Sequence, residues 1–177
     1  MRLFGRIPRE RVAGVVIDMQ GESYLNGHDS GSVDKMVQSQ ISVLDYFASN
    51  NIPVVNFRNR FQLKDTGPVL PEILEVVGKN SKPKNLVKES NSGFTNSLFE
   101  DHLSECNRDH LILMGVNAYA CVKETAEDAL KKGYRFSVSW DLVGNPKNIS
   151  QYDSFSWFFW NSHCFTRDYR RLLEKIK

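Results

Sequence analysis

The sequence predicts an α/β fold, with a mostly parallel sheet covered by helices on both faces. Short apolar runs recur at residues 12–19 (VAGVVIDM), 52–57 (IPVVNF) and 110–115 (HLILMG). Near-continuous apolar runs of this length read as strands buried on both sides. Between them lie segments of helical periodicity, notably 33–50 and 118–132. Strands that alternate with helices pair in parallel, and sites in such sheets lie beyond the carboxyl ends of the strands.

Each element has its own signal. The first strand, 12–19, ends near an acid, Asp18. The helix at 33–50 places Val33, Met36, Val37, Ile41, Leu44, Phe47 and Ala48 on one face, and Asn50 and Asn51 end it. Residues 52–57 are the second strand. Gly67, Pro68, Pro71, Gly78 and Pro83 make 58–84 an irregular connection with at most a short helix around 71–77. Residues 85–88 form a short third strand. A helix at 95–104 would turn Leu98, Phe99 and Leu103 inward. The fourth strand, 110–115, runs into a brief turn and an Ala-rich helix that stops at Gly133. Residues 134–140 make a fifth strand, and 148–160 a helix. A short strand near 163–165 and a helix over 167–177 close the chain.

Composition narrows the function. The chain has 177 residues, enough for one domain with a full core. Net charge is +2 with scattered basic residues, so no nucleic-acid partner is expected. The exception is the run Arg167, Arg170, Arg171, Lys175 and Lys177, read as one solvated helix face. The apolar segments are too short to span a bilayer, so no membrane partner is expected. The opening MRLFGRIPRERVAG lacks the apolar core of a secretory signal, which predicts a cytoplasmic protein. Three widely spaced cysteines, Cys106, Cys121 and Cys164, fit no disulfide scaffold, and no Cys/His cluster suggests zinc or another metal. His28, His102, His110 and His163 are dispersed and read as surface or structural residues.

Three residues occupy equivalent places: Asp18 ends strand one, Lys88 ends strand three, and Cys121 follows strand four. A parallel sheet brings all three to one edge. A free thiol titrates near ~8.5. An adjacent lysine and a helix N-terminus, worth roughly 0.3–1 kcal/mol, both favour the thiolate. A carboxylate in reach can take the thiol proton and return it to a leaving amine. Position alone nominates Tyr24, Arg58, Phe61, Phe94 and Tyr119 to line the pocket of a small-molecule substrate. Arg58 would suit a substrate carboxylate.

The segments VVIDMQ (15–20), Lys88 with Phe94 and Leu98 in a Lys-x5-Phe-x3-Leu spacing, and GVNAYACVKETAEDALKKGY (115–134) followed by Asp141 resemble the isochorismatase-like cysteine hydrolases. The match runs from about residue 12 to 143. The resemblance implies a three-layer, Rossmann-like α/β/α sandwich with a six-stranded, mainly parallel sheet. It implies an Asp18–Lys88–Cys121 triad with no cofactor. It also implies a cis peptide at Val116–Asn117 that aims the amides of Asn117 and Cys121 at an oxyanion, and a homo-oligomer, dimer or tetramer. No histidine lies between His28 and His102, so the Asp-x-His…His metal site of nicotinamidases is missing. True isochorismatases tend to have Gly where Cys121 stands, so the cysteine favours covalent hydrolysis of an amide, carbamoyl or related C–N bond. Ala118 replaces the family's frequent Thr, and the C-terminal segment FSWFFWNSHCFTRDYRR adds no motif to the resemblance, its aromatics reading as core or subunit interface. Two alternatives stand beside this: a non-covalent vinyl-ether hydrolase using Asp18 as general acid, and a catalytically silent oligomeric binding protein.

Overall fold

A computed structural model of the chain describes residues 5–21, 25, 27–60 and 67–177. The strands are β1 (Val12–Ile17), β2 (Val54–Asn59), β3 (Pro83–Lys88), β4 (His110–Val116), β5 (Arg135–Ser139), β6 (Val143–Gly144) and β7 (Cys164–Thr166). The α-helices are α1 (Ser30–Ser49), α2 (Pro71–Gly78), α3 (Ser97–Glu105), α4 (Lys123–Lys131), α5 (Gln151–Asn161) and α6 (Tyr169–Leu173). They form a sheet of order β3-β2-β1-β4-β5-β7, with β6 pairing β4. Every strand pairing among the described residues is parallel.

The sheet has seven strands, not the expected six. The added strand is β6, whose two residues pair with Gly115 and Val116. Two residues carry no readable period, so only the pairing partner reveals such a strand.

Side-chain alternation divides the core into two layers. Val12 and Val16 of β1 and Met114 of β4 pack with α1, α2 and Leu172 of α6. Val15 and Ile17 of β1 and Phe57 of β2 pack with Phe99 of α3, Ala126 of α4 and Phe158 of α5. The helices therefore cover both faces. A side chain at Gly14 would meet the Phe47 ring at 2.6 Å, so the glycine lets α1 settle against β1. Gly115 has φ +127°, and a Cβ there would stand 2.0 Å from the Ile17 carbonyl oxygen. Glycine is thus required where β4 passes β1 just below the sheet edge.

Several boundaries moved for local reasons. Helix α1 begins three residues before the expected start, because Asp29 caps it by accepting from the Ser32 N–H. Leu98 is exposed on α3 while Phe99 and Leu103 are buried, so the inward face is narrower than predicted. The C-terminal helix contracts to Tyr169–Leu173, capped by Asp168. Beyond it Ile176 bridges to Ile7 in a parallel pairing. The terminal basic residues consequently do not share one helix face: Arg167 precedes the helix, and Lys175 and Lys177 follow it.

His110 gives the fold a pH dependence. It is buried in β4, with Nε2 2.8 Å from Ser137 Oγ and its ring edge-on to His163. Burial, and then the neighbouring His163, push its pKa down to about 3. The folded chain keeps this ring neutral, whereas the unfolded chain takes up a proton below ~6.5. Stability is therefore lost as pH falls from about 6.5 toward 3. In His110→Asn, urea midpoints should fall less steeply over that window, by up to about one proton's worth of slope. An unchanged slope would contradict this assignment.

Candidate active site

The strand ends deliver the site. Lys88 is the last residue of β3 and Asn59 the last of β2, and the two are register partners. By alternation both face the layer of Phe57 and Leu86, the side covered by α3 and α4. Asp18 follows Ile17, which already points to that layer, so simple alternation would send Asp18 to the other face. Its φ of 56° turns the chain instead, and the carboxylate reaches Lys88. Asp is among the few side chains that tolerate this conformation. Cys121 lies in a π-helical turn, Ala118–Val122, between β4 and α4. It is thus one turn earlier than the first α-helical turn expected for it. Because β1 lies between β2 and β4, these strand ends are adjacent.

Lys88 Nζ stands 2.8 Å from Asp18 Oδ2, and both side chains are fully buried. Nζ also donates to the Ser90 carbonyl at 3.0 Å. A buried ion pair adds little net stability against well-packed apolar residues of the same volume. Burial pushes the Asp18 carboxyl above the usual carboxylate range. The Lys88 ammonium and hydrogen bonds from Lys88, Cys121 and Asn59 pull the other way. The result is a carboxylate that accepts a proton more readily than an exposed one.

The Cys121 thiol is almost fully buried. It donates to Asn91 Oδ1 at 3.5 Å, and Asn59 Nδ2 stands 3.9 Å from its sulfur. Asn91 is oriented by its own amide, which donates to Glu124 Oε1 at 2.6 Å. Thr125 Oγ1 donates to the Cys121 carbonyl at 2.7 Å and accepts from the Gly93 N–H at 3.0 Å, tying the turn that carries Cys121 to the segment after Lys88. Gln20 joins β1 to β2: Oε1 accepts from the Asn59 N–H at 2.7 Å, and Nε2 donates to the Gly67 carbonyl at 2.9 Å.

The structure therefore brings Asp18, Lys88 and Cys121 together. Asn117 begins the turn, and the Val116–Asn117 peptide is cis. The Asn117 carbonyl accepts from the N–H groups of Ala120 and Val122. Tyr119 is exposed within the turn, and its N–H donates to Asn145 Oδ1 at 2.9 Å. Arg58 lies inside β2, one residue before Asn59, so alternation directs it to the α1–α2 face, away from Cys121. Phe94 sits in a 3-10 turn, Gly93–Thr95, with its ring against Phe99 and Tyr134, so it belongs to the apolar layer behind the site. Tyr24 and Phe61 lie outside the described residues. Sequence reasoning missed Asn59, Asn91 and Thr125. Asn59 was open to discovery as the end of the strand beside β3.

A cavity of about 1000 Å³ lies elsewhere. It runs between α5, β7 and the C-terminal residues, and holds neither Cys121 nor Asp18.

A family model described as the isochorismatase domain matches residues 12–159. The secreted isochorismatase effector Isc1 of Verticillium dahliae is 23% identical over 135 residues, covering 74% of this chain and 71% of that protein. Among solved structures, the MAR1 ribonuclease of Caenorhabditis elegans superposes with a TM-score of 0.82 at 19% identity, over 97% of this chain and 84% of that one. The YcaC gene product of Escherichia coli, an octameric hydrolase of unknown specificity, gives 0.78 at 18% identity, over 96% and 86%. The N-carbamoylsarcosine amidase of Thermoplasma acidophilum gives 0.69 at 23% identity, over 89% and 96%. At these identities the superpositions establish the fold.

Proposed function

The chain belongs to the isochorismatase family of domains, and from that premise we propose that it is a cysteine-dependent hydrolase of a small amide or carbamoyl compound. The observation that carries this reading is the fully buried Asp18–Lys88 pair placed against the Cys121 thiol. A thiol, a proton acceptor and a fixed cation in one dry site are the parts that covalent acyl transfer needs. The N-carbamoylsarcosine amidase on the same fold supports a C–N substrate.

The steps follow from the groups. Cys121 Sγ attacks the substrate carbonyl carbon as Asp18 accepts the thiol proton. The oxyanion of the tetrahedral intermediate is held by the amides of Asn117 and Cys121. The C–N bond breaks as Asp18 returns the proton to the leaving amine. Water then attacks the thioester, giving its proton to Asp18, and the carboxylic acid leaves as the thiol reforms. Lys88 keeps a positive charge beside Asp18 throughout.

The testing experiment is a screen of small amides and carbamoyl compounds, with Cys121→Ala as control and mass spectrometry to catch an acyl adduct. An adduct on Cys121 is expected. Turnover that survives in Cys121→Ala would point instead to the non-covalent vinyl-ether type of reaction.

We also propose a homo-oligomer. Tyr152, Phe159 and Trp160 are exposed on α5 beside β7, the end strand of the sheet path. Exposed apolar faces of this kind mark interaction surfaces. YcaC on the same fold is octameric. Sedimentation velocity should give a mass above that of one chain, and a monomer at micromolar concentration would overturn this.

A further inference from the structure

We infer that Asn91 is a positioning residue for the nucleophile: held by Glu124, its side-chain carbonyl keeps Cys121 a neutral thiol until the reaction draws the proton away. This rests on the reading of Cys121 as the nucleophile and adds a resting state to it.

Asn91 lies in the loop between β3 and the Gly93–Thr95 turn. Its Oδ1 accepts the Cys121 S–H at 3.5 Å, and its Nδ2 donates to Glu124 Oε1 at 2.6 Å. The two ends of an asparagine amide are nearly alike in shape, so the hydrogen-bond partners decide which end faces which group. An ionised carboxylate only accepts. Glu124 therefore claims the amide nitrogen and leaves the oxygen facing the sulfur. Without Glu124 the amide would be free to turn over and offer its N–H to a thiolate.

The backbone beside Asn91 is fixed to both the nucleophile turn and the sheet. The Gly93 N–H donates to Thr125 Oγ1, which itself bonds the Cys121 carbonyl. A Cβ at Gly93 would stand 2.8 Å from the Phe57 ring, so this segment packs directly on β2. Glu124 is in the first turn of α4, the helix that continues from the nucleophile turn.

A carbonyl oxygen held against the sulfur favours S–H over the anion. The surrounding groups divide on this point. Asp18 and Lys88 face the thiol from the strand ends, and Glu124 stands behind Asn91. Lys123 is turned to Glu127 and the Trp157 ring. Glu89 on the loop and Asp153 on α5 are exposed, and burial holds His28, beyond Asn117, below its ordinary pKa. Lys88 favours an anion in the site, and Asn59 turns its Nδ2 toward the sulfur at 3.9 Å. Asn91 opposes both. The thiol proton thus has two acceptors, Asn91 at rest and Asp18 during attack. The thiolate is the form that oxidants attack, so a thiol ionised only in turnover is protected between cycles.

The test follows Cys121 ionisation with pH by thiolate absorbance of the full chain, each protein read against its Cys121→Ala counterpart. Asn91→Leu fills the space without an acceptor, so entry of water does not account for a change. It should raise the thiolate fraction below the midpoint by about fivefold, the size of one lost hydrogen bond. Asn91→Gln keeps a carbonyl and should change it less. Glu124→Ala should lower the midpoint in the parent, and by clearly less in Asn91→Leu, because it acts through Asn91. An unshifted or raised midpoint in Asn91→Leu would overturn the inference. So would an equal effect of Glu124→Ala in the two backgrounds, which would mean that Glu124 acts by charge alone. Should Asn91→Leu fail to fold, Asn91→Ala takes its place in both comparisons. The titration needs no substrate, so its failure is distinguishable from an absent acyl adduct.

Discussion

Cys121→Ala is expected to lower turnover of the best amide or carbamoyl substrate by a factor on the order of 10⁴ or more, with the fold intact. Removing a nucleophile that acts together with its base costs about as much as removing the whole constellation. The lost thiol contributes little to stability. Its contacts to Asn91 and Asn59 are long, at 3.5 and 3.9 Å, the Asp18 carboxylate it also bonds keeps its ion pair with Lys88, and alanine keeps the helical backbone of the turn. The melting temperature should therefore stay within a few degrees of the parent while activity disappears. The acyl adduct should vanish in the same variant. A loss of activity accompanied by a large loss of stability would not test the mechanism, so Cys121→Ser serves as the second variant. It fills the thiol's space with a hydroxyl that is a poorer nucleophile at neutral pH, and it too should be nearly inactive. If either variant kept most of its turnover, the covalent mechanism would fail and Asp18 would act alone as general acid.

How much of this site was readable from sequence follows from how far each signal extends. The strand β1 is six residues of Val, Ala, Gly and Ile, and such a run has few alternatives to a buried parallel strand. Once β1, β3 and β4 were placed, topology alone put Asp18, Lys88 and Cys121 on one edge. What escaped was set by contacts between distant segments. Asn59 matters because β2 ends level with Lys88 on β3, a register that no local pattern encodes. Arg58 and Asn59 differ by one position along β2, and that step puts their side chains on opposite faces of the sheet. Phe94 has the right spacing from Lys88, yet its ring is claimed by Phe99 and Tyr134. The π-helical turn around Cys121 and the two-residue β6 are equally non-local, since each exists through its neighbours.

Lys88→Met should destabilise the chain in a pH-dependent way, and this distinguishes a working ion pair from an inert one. The Asp18–Lys88 pair has no solvent to fall back on. Removing one partner of a buried pair costs about 3–5 kcal/mol when the other stays charged. Asp18 has an escape, because it can take up a proton, and burial already raises its pKa. Without the ammonium that opposes this shift, its folded pKa climbs further. The folded variant then holds a proton that the unfolded chain, with a carboxyl near ~3.9, has released. Stability relative to the parent therefore falls as pH rises through that interval. The deficit should be small near pH 4 and grow toward neutral pH, as read from urea midpoints. The double variant Asp18→Asn/Lys88→Met leaves no buried charge and should recover most of the loss at pH 7. Loss of the cation also disfavours any anion at the site. Alkylation of Cys121 by iodoacetamide at pH 7 should accordingly slow by about tenfold in Lys88→Met, or 1.4 kcal/mol in the thiolate equilibrium. A deficit that does not vary with pH, together with an unchanged alkylation rate, would mean that Lys88 fills space in this site and does not tune it.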